Sequence, residues 1–201
     1  MTLTEALTEY TAAFKRDTSD VDDATWIYWG DYINKEFRRT LEGVDPERYV
    51  STQSYTVSTS PSSQALPATF RTVSTFGCGL YYLNSDSTPR GDKLSMTGYG
   101  YLRAGYFISG SNVTFTGINS STPFLMRFMP TITTLAAMSD SLEVPAEYNL
   151  YIMKAFDEIY EQWDEDATLE SLADFRLTRT LSELTKTIPR QPTVYALMPH
   201  N

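Results

Sequence analysis

Few residues of this chain could serve as acid, base, nucleophile or soft metal ligand at neutral pH: there is one cysteine, Cys78, and one histidine, His200. A nucleophile–base–acid triad needs a base such as histidine beside Ser or Cys, and His200 is the penultimate residue of a proline-containing tail. Cys78 lies in FGCGLYY, with no basic residue within five positions to lower its thiol pKa. The flanking glycines favour a turn or close backbone approach around a small buried filler. One cysteine excludes an intrachain disulfide, and the pair cannot assemble a Cys/His zinc site within one chain.

Carboxylates are more numerous. DTSDVDD places acids at 17, 20, 22 and 23, but it lacks the alternating ligands and central glycine of a calcium loop, and helix capping accounts for it more simply. Asp164-Glu165-Asp166 reads as a solvated turn between helices rather than a cation site. A carboxylate pair for glycoside hydrolysis need not be close in sequence, and nothing marks one here. GYGYLRAG lacks both the spacing and the strand-then-helix setting of a phosphate loop. Asn112-Val113-Thr114 and Asn119-Ser120-Ser121 match the glycosylation sequon, and Arg90-Gly91-Asp92 matches an adhesive tripeptide. The start, MTLTEALTEYTAAFKRD, does not read as a signal peptide, so the sequons are expected to be unused. Tyr81, Tyr82, Tyr99, Tyr101 and Tyr106 could make a sugar-stacking face. Tyrosine is also a strand former and a favoured interface residue, and core or interface is the preferred reading. The expectation is a protein without catalytic, cofactor-binding or metal-binding residues.

Two helical ends and a central β segment must position these residues. Of 201 residues, 41% are apolar and 13% aromatic, enough for a packed core, and the net charge is −9 with a pI near 4.6. This balance argues against binding DNA by releasing phosphate counterions, although an acidic wall can let DNA pass without adhering. Leu3, Leu7, Tyr10 and Phe14 predict a helix from about Thr4 to Arg16. Trp26, Trp29, Ile33, Phe37 and Leu41 predict a second from Asp23 to Glu42, with Gly43 as its left-handed stop before Asp45-Pro46. From Tyr49 the period changes to two, and residues 44–140 read as an all-β unit of five to seven short strands, with 84–93 an exposed mobile loop.

Within that unit YFISGSNVTFTG predicts a hairpin whose tip is Ser109–Asn112. Helix resumes at Pro145, with Tyr148, Ile152, Ala155, Ile159 and Trp163 as its buried stripe, breaks at Asp164–Asp166, and restarts from a cap at Thr168. Pro189 ends it, leaving an extended arm in which Val194, Tyr195, Leu197 and Met198 are candidate partner anchors. Residues 143–170 hold nine acids against Lys154 alone. On charge alone Asp157, Glu158, Glu161, Asp164 and Glu165 are the candidates to line an acidic surface. The predicted organisation is an α+β fold: a four-helix core from 1–43 and 141–188, an inserted antiparallel β-sandwich or barrel at 44–140, and an extended arm at 189–201.

The order of features resembles the head-to-tail adaptor (connector) proteins of tailed bacteriophages. The residues that carry this are Trp26 and Asn34 in the second helix, VDPERYV at 44–50, LPATF at 66–70, the YFISGSNVTFTG hairpin leading into FLMRFMP, and LEVPAEY at 142–148. The match spans roughly residues 20–160. It departs from the family pattern in STPFLMRFMP, where a tyrosine more often precedes the proline, and in the polar loop at 84–93. The resemblance implies a non-enzymatic subunit made in the host cytoplasm and located in the virion neck. It implies a ring, dodecameric by that pattern, under the portal protein and joined below to a tail or nozzle protein. DNA would pass through the channel without sequence-specific binding, along the five acidic candidates named above, and no membrane is involved. The nearest alternatives are another neck or tail-completion protein and a carbohydrate-binding host-recognition module; an enzyme using a carboxylate pair comes third.

Overall fold

The computed structural model describes residues 1–58, 61–75, 77–96, 104–118, 120–165 and 177–188. Its contacts separate residues 1–45 and 132 onward from residues 46–131, so the helical unit is built from the two ends of the chain.

In the helical unit, α1 (Leu3–Phe14) starts at a capping box: the Glu5 amide donates to Thr2 Oγ1 at 3.2 Å and the Thr2 amide to Glu5 Oε2 at 2.8 Å. It stops two residues before the expected Arg16, because Lys15 takes a left-handed conformation at φ 54°. α2 (Asp23–Val44) is capped by Asp22, which accepts from the Thr25 amide at 2.7 Å. Gly43 is not its stop: the helix runs through it to Val44, and the Asp45 amide still donates to the Leu41 carbonyl at 2.8 Å. What ends it is Pro46, which has no amide proton to continue the ladder. Pro145 likewise lies outside α-helix. It precedes a 3-10 turn, Ala146–Tyr148, and α3 (Asn149–Glu165) begins after that turn. Within the second predicted C-terminal helix, α4 is Thr178–Thr187; Thr168 and the arm from Pro189 lie outside the described residues.

α3 is the central helix, in contact with α1, α2 and α4. Ile152, Ala155, Phe156, Ile159 and Tyr160 are all buried, whereas Tyr148 and Trp163, expected in the stripe, are only half-buried. Tyr10, Trp26, Trp29, Phe156, Tyr160 and Trp163 are linked ring to ring, with Trp26 and Trp29 edge-on at 5.0 Å. Gly30 leaves room for Leu3 of α1 against α2, since a Cβ there would lie 2.6 Å from Leu3 Cδ1.

Residues 132–145 were expected partly in the β unit, but 132–140 pack with the helices and form a strap across α1 and α2. The Leu3 and Thr4 amides donate to the carbonyls of Asp140 and Met138, and the Leu142 amide to the Met1 carbonyl, each at 3.0 Å. The Leu135 amide donates to Asp31 Oδ1 at 3.0 Å.

The β unit begins with a 3-10 turn at Pro46–Tyr49 and holds eight strands among the described residues. These are β1 (Ser51–Val57), β2 (Ser62–Ala65), β3 (Phe70–Thr72), β4 (Gly79–Leu83), β5 (Pro89–Lys93), β6 (Gly105–Ser109), β7 (Asn112–Thr116) and β8 (Thr122–Pro130). They make two antiparallel sheets and not a closed barrel: one in the order β1-β8-β4-β5 with β3 also on β8, the other β2-β7-β6. Tyr55, Leu80, Val113, Phe115, Phe124 and Met126, drawn from both sheets, share one core. β8 is the spine, alternating buried Phe124, Met126 and Phe128 with less buried residues as far as Met129, which is buried as well. The loop expected at 84–93 is instead a turn followed by β5, because the Asn84 amide closes on the Thr88 carbonyl at 2.8 Å and returns the chain beside β4. The predicted hairpin is β6–β7, with Gly110 at φ 57° in its turn.

Candidate functional site

The acidic candidates on α3 do not form one surface. Asp157 and Glu158 are 7% and 8% exposed, because the helix that carries them is covered on several sides. Each carboxylate serves a partner within the helical unit. Arg16, just past α1, donates through Nε to Asp157 Oδ1 at 2.9 Å and through Nη2 to Glu161 Oε1 at 2.8 Å. Its guanidinium also sits 5.8 Å from the centre of the Tyr160 ring. Bonding to Asp157 raises the already high Arg16 pKa, and burial, with Asp157 nearby, pushes the Tyr10 phenol up.

Glu158 accepts from the Arg179 and Thr180 amides, both at 2.9 Å. These are first-turn amides of α4, whose own N-cap residue, Leu177, supplies no side-chain cap. A carboxylate on α3 thus satisfies the start of α4 and meets the positive end of its dipole. The clamp continues through Arg179 to Glu161 at 3.2 Å, Lys154 to Glu183 at 2.5 Å and Tyr151 to Thr187 at 2.6 Å. Lys154 holds the Glu183 carboxyl below its usual range. Asp164 is exposed, and the Glu165 side chain lies outside the described residues. A recess of about 230 Å³ opens among Phe14, Lys154, Asp157, Glu161, Arg179 and Glu183. No group of three or more His, Cys, Asp or Glu among the described residues is arranged to hold a metal ion.

In the β unit a wider cavity, about 660 Å³, is lined by Phe70, Val73, Leu94, Tyr106 and Ile108 with Arg71 and Lys93 among them. Tyr106 is 3% exposed and belongs to the core. Tyr81 donates to the Gly77 carbonyl at 2.9 Å and has Lys93 above its ring, while Tyr82 packs on Phe124 at 5.0 Å. Tyr99 and Tyr101 lie outside the described residues, as do His200 and the arm residues Val194, Tyr195, Leu197 and Met198. Cys78 is buried.

The segments that carry the resemblance turn out to be joints. Asn34 is fully buried; its Nδ2 donates to the Thr133 carbonyl at 3.3 Å and its Oδ1 accepts from the Glu143 amide at 2.7 Å. Glu143 in turn accepts from Thr133 Oγ1 at 2.5 Å. Glu47 of the Asp-Pro-Glu-Arg-Tyr turn is ion-paired with Arg127 of β8. The Leu66 amide donates to the Ser111 carbonyl at 2.8 Å, which ties LPATF to the hairpin tip. Sequence reasoning singled out Asn34 only as a motif residue, without its connecting role, and it missed Arg16, which nothing local marks. No helix among the described residues is long and apolar enough to cross a membrane. No protein-family model matches the chain, and no curated protein matches it.

Proposed function

We propose that the chain is a non-enzymatic structural subunit of a tailed-phage neck: one copy of an adaptor ring that docks beneath the portal, continues the DNA channel and receives a tail or nozzle component below. The observation that carries this reading is the chain order, a helical unit closed from both ends of the chain around an inserted β unit, in the same sequence as the quoted motifs. The motif residues support it through their roles, since Asn34, Glu47, Leu66, Arg127 and Glu143 fix connections rather than converge on a reactive centre. An acidic chain that repels phosphate suits a wall past which DNA slides, and Asp164 of α3 is exposed. The arm, through Val194, Tyr195, Leu197 and Met198, is the proposed contact with the portal or a neighbouring copy.

The test is to mix the purified chain with its portal and follow assembly by size-exclusion chromatography and electron microscopy. Co-migration as rings is the expected result, and persistent failure to bind overturns the reading. Deleting residues 189–201 is expected to weaken docking; unchanged docking removes the arm from the reading.

A further inference from the structure

Strand β1 lies at the edge of its sheet, and an edge strand presents a row of backbone groups ready to pair with another strand. Edges are normally guarded by charge, proline or a bulge. At the opposite edge, β5 carries all three kinds of guard: Pro89, the charges Arg90, Asp92 and Lys93, and an irregular register with Gly91 at φ 81°. β1 carries none. Its sequence, STQSYTV, is free of charge and proline, and all seven residues pair with β8 in an unbroken register. Thr52, Gln53, Ser54 and Thr56 are exposed.

The outward-facing side of β1 can be read from two bonds. Gln53 Nε2 donates to the Ser54 carbonyl at 3.1 Å, and Gln64 Nε2 donates to the Thr56 carbonyl at 2.9 Å. The carbonyls of 54 and 56 therefore point away from β8, and by the two-residue period so does that of 52. Two side-chain amides stand where the backbone amides of an added strand would donate. Gln53 is exposed and Gln64 half-buried, and each side-chain amide can swing aside for a strand that offers the same donors.

We propose that the β1 edge is a strand-pairing surface whose partner is β1 of a second copy, antiparallel across a two-fold axis at Ser54. That register sets Ser54 against its own copy and Thr52 against Thr56 of the other, and it pairs all three outward residues. Self-pairing brings each residue of β1 near its own kind, and the absence of charge removes the repulsion that like charges would create. Thr–Thr neighbours across an antiparallel pair are favourable. Such a contact is isologous, unlike the head-to-tail contact that closes a ring, so the proposal stands or falls independently of the neck reading.

The experiment uses the full chain without portal. Ser54→Cys, oxidised with copper phenanthroline, is expected to give a reducible covalent dimer, while the native chain gives none through buried Cys78. Sedimentation velocity is expected to show a concentration-dependent dimer of the native chain. Ser54→Pro removes an outward amide and leaves the bonds to β8, and should weaken the dimer by roughly tenfold or more, the loss of about one pair of hydrogen bonds. If that variant misfolds by circular dichroism, Ser54→Lys, which opposes two charges at the axis, replaces it with the same expectation. A chain that stays monomeric at submillimolar concentration, or a dimer indifferent to the folded Ser54 variant, overturns the proposal.

Discussion

At the scale of single residues, this protein spends its buried polar groups on connection. Asn34 links α2 to two points of the strap, and neither a hydrophobic nor an acidic replacement keeps both its donor and its acceptor. Asn34→Leu should cost about 2–3 kcal/mol, because it strands the Glu143 amide and the Thr133 carbonyl; a lower midpoint in a urea titration with unchanged slope is the expected readout. Asp157 and Arg16 form a second joint, half-screened by solvent on the arginine side, where the side chain is 34% exposed. Arg16→Met leaves a buried carboxylate without its cation and should cost about 1–3 kcal/mol. Adding Asp157→Asn should restore part of that loss, and a double-mutant cycle with no coupling would show that the pair is not a joint.

At the scale of elements, α4 is held as much by polar clamps as by its buried Leu184. Glu158 is the principal one, since an α-helix leaves its first amides unsatisfied and α4 brings no cap of its own. Glu158→Gln keeps one acceptor and loses the charge, so α4 should lose about 1–2 kcal/mol of local stability. Amide exchange at Arg179 and Thr180 reads this directly: both should exchange at least several-fold faster, with α1 amides unaffected. In the β unit the hairpin tip is tied back through Ser111 to Leu66. Its geometry is set by its own sheet, so a partner at the tip would meet a preformed turn.

At the scale of the whole molecule, the acidic balance has a thermodynamic consequence. Glu5, Asp17, Asp22 and Asp140 are lowered by hydrogen bonds from Thr2, Ser19, Thr25 and the Ala136–Ala137 amides, and Glu183 by Lys154. A carboxyl depressed in the folded state contributes stability above its unfolded pKa of about 4 and loses it as pH falls through the lower folded value. Thermal midpoints should therefore be level near neutrality and fall on acidification below about pH 4. A Glu5→Gln variant, lacking the capping-box charge, should show a shallower fall. Melting curves from pH 7 to pH 3 check both.

Periodicity carried much of this architecture. The stripe of Trp26, Trp29, Ile33, Phe37 and Leu41 is the buried face of α2, and the apolar–polar alternation around Ser109–Asn112 is the β6–β7 hairpin. Both are legible because the spacing of apolar residues along a short stretch is itself the cause of the local structure. The fate of the α3 carboxylates was not legible. Whether Asp157 faces water or a guanidinium depends on Arg16, 141 residues away, and whether Glu158 is free depends on where α4 begins. Charge counting assumes that an acid on a helix is solvated, and that assumption fails for a helix enclosed by its neighbours. Sequence by itself determined two helical ends, a β interior and an acidic surface balance. The tertiary structure alone decided that α3 is central, that Asp157 and Glu158 are internal joints while Asp164 stays exposed, and that β1 is left with an open edge, because burial and pairing are set by contacts between residues remote in the chain.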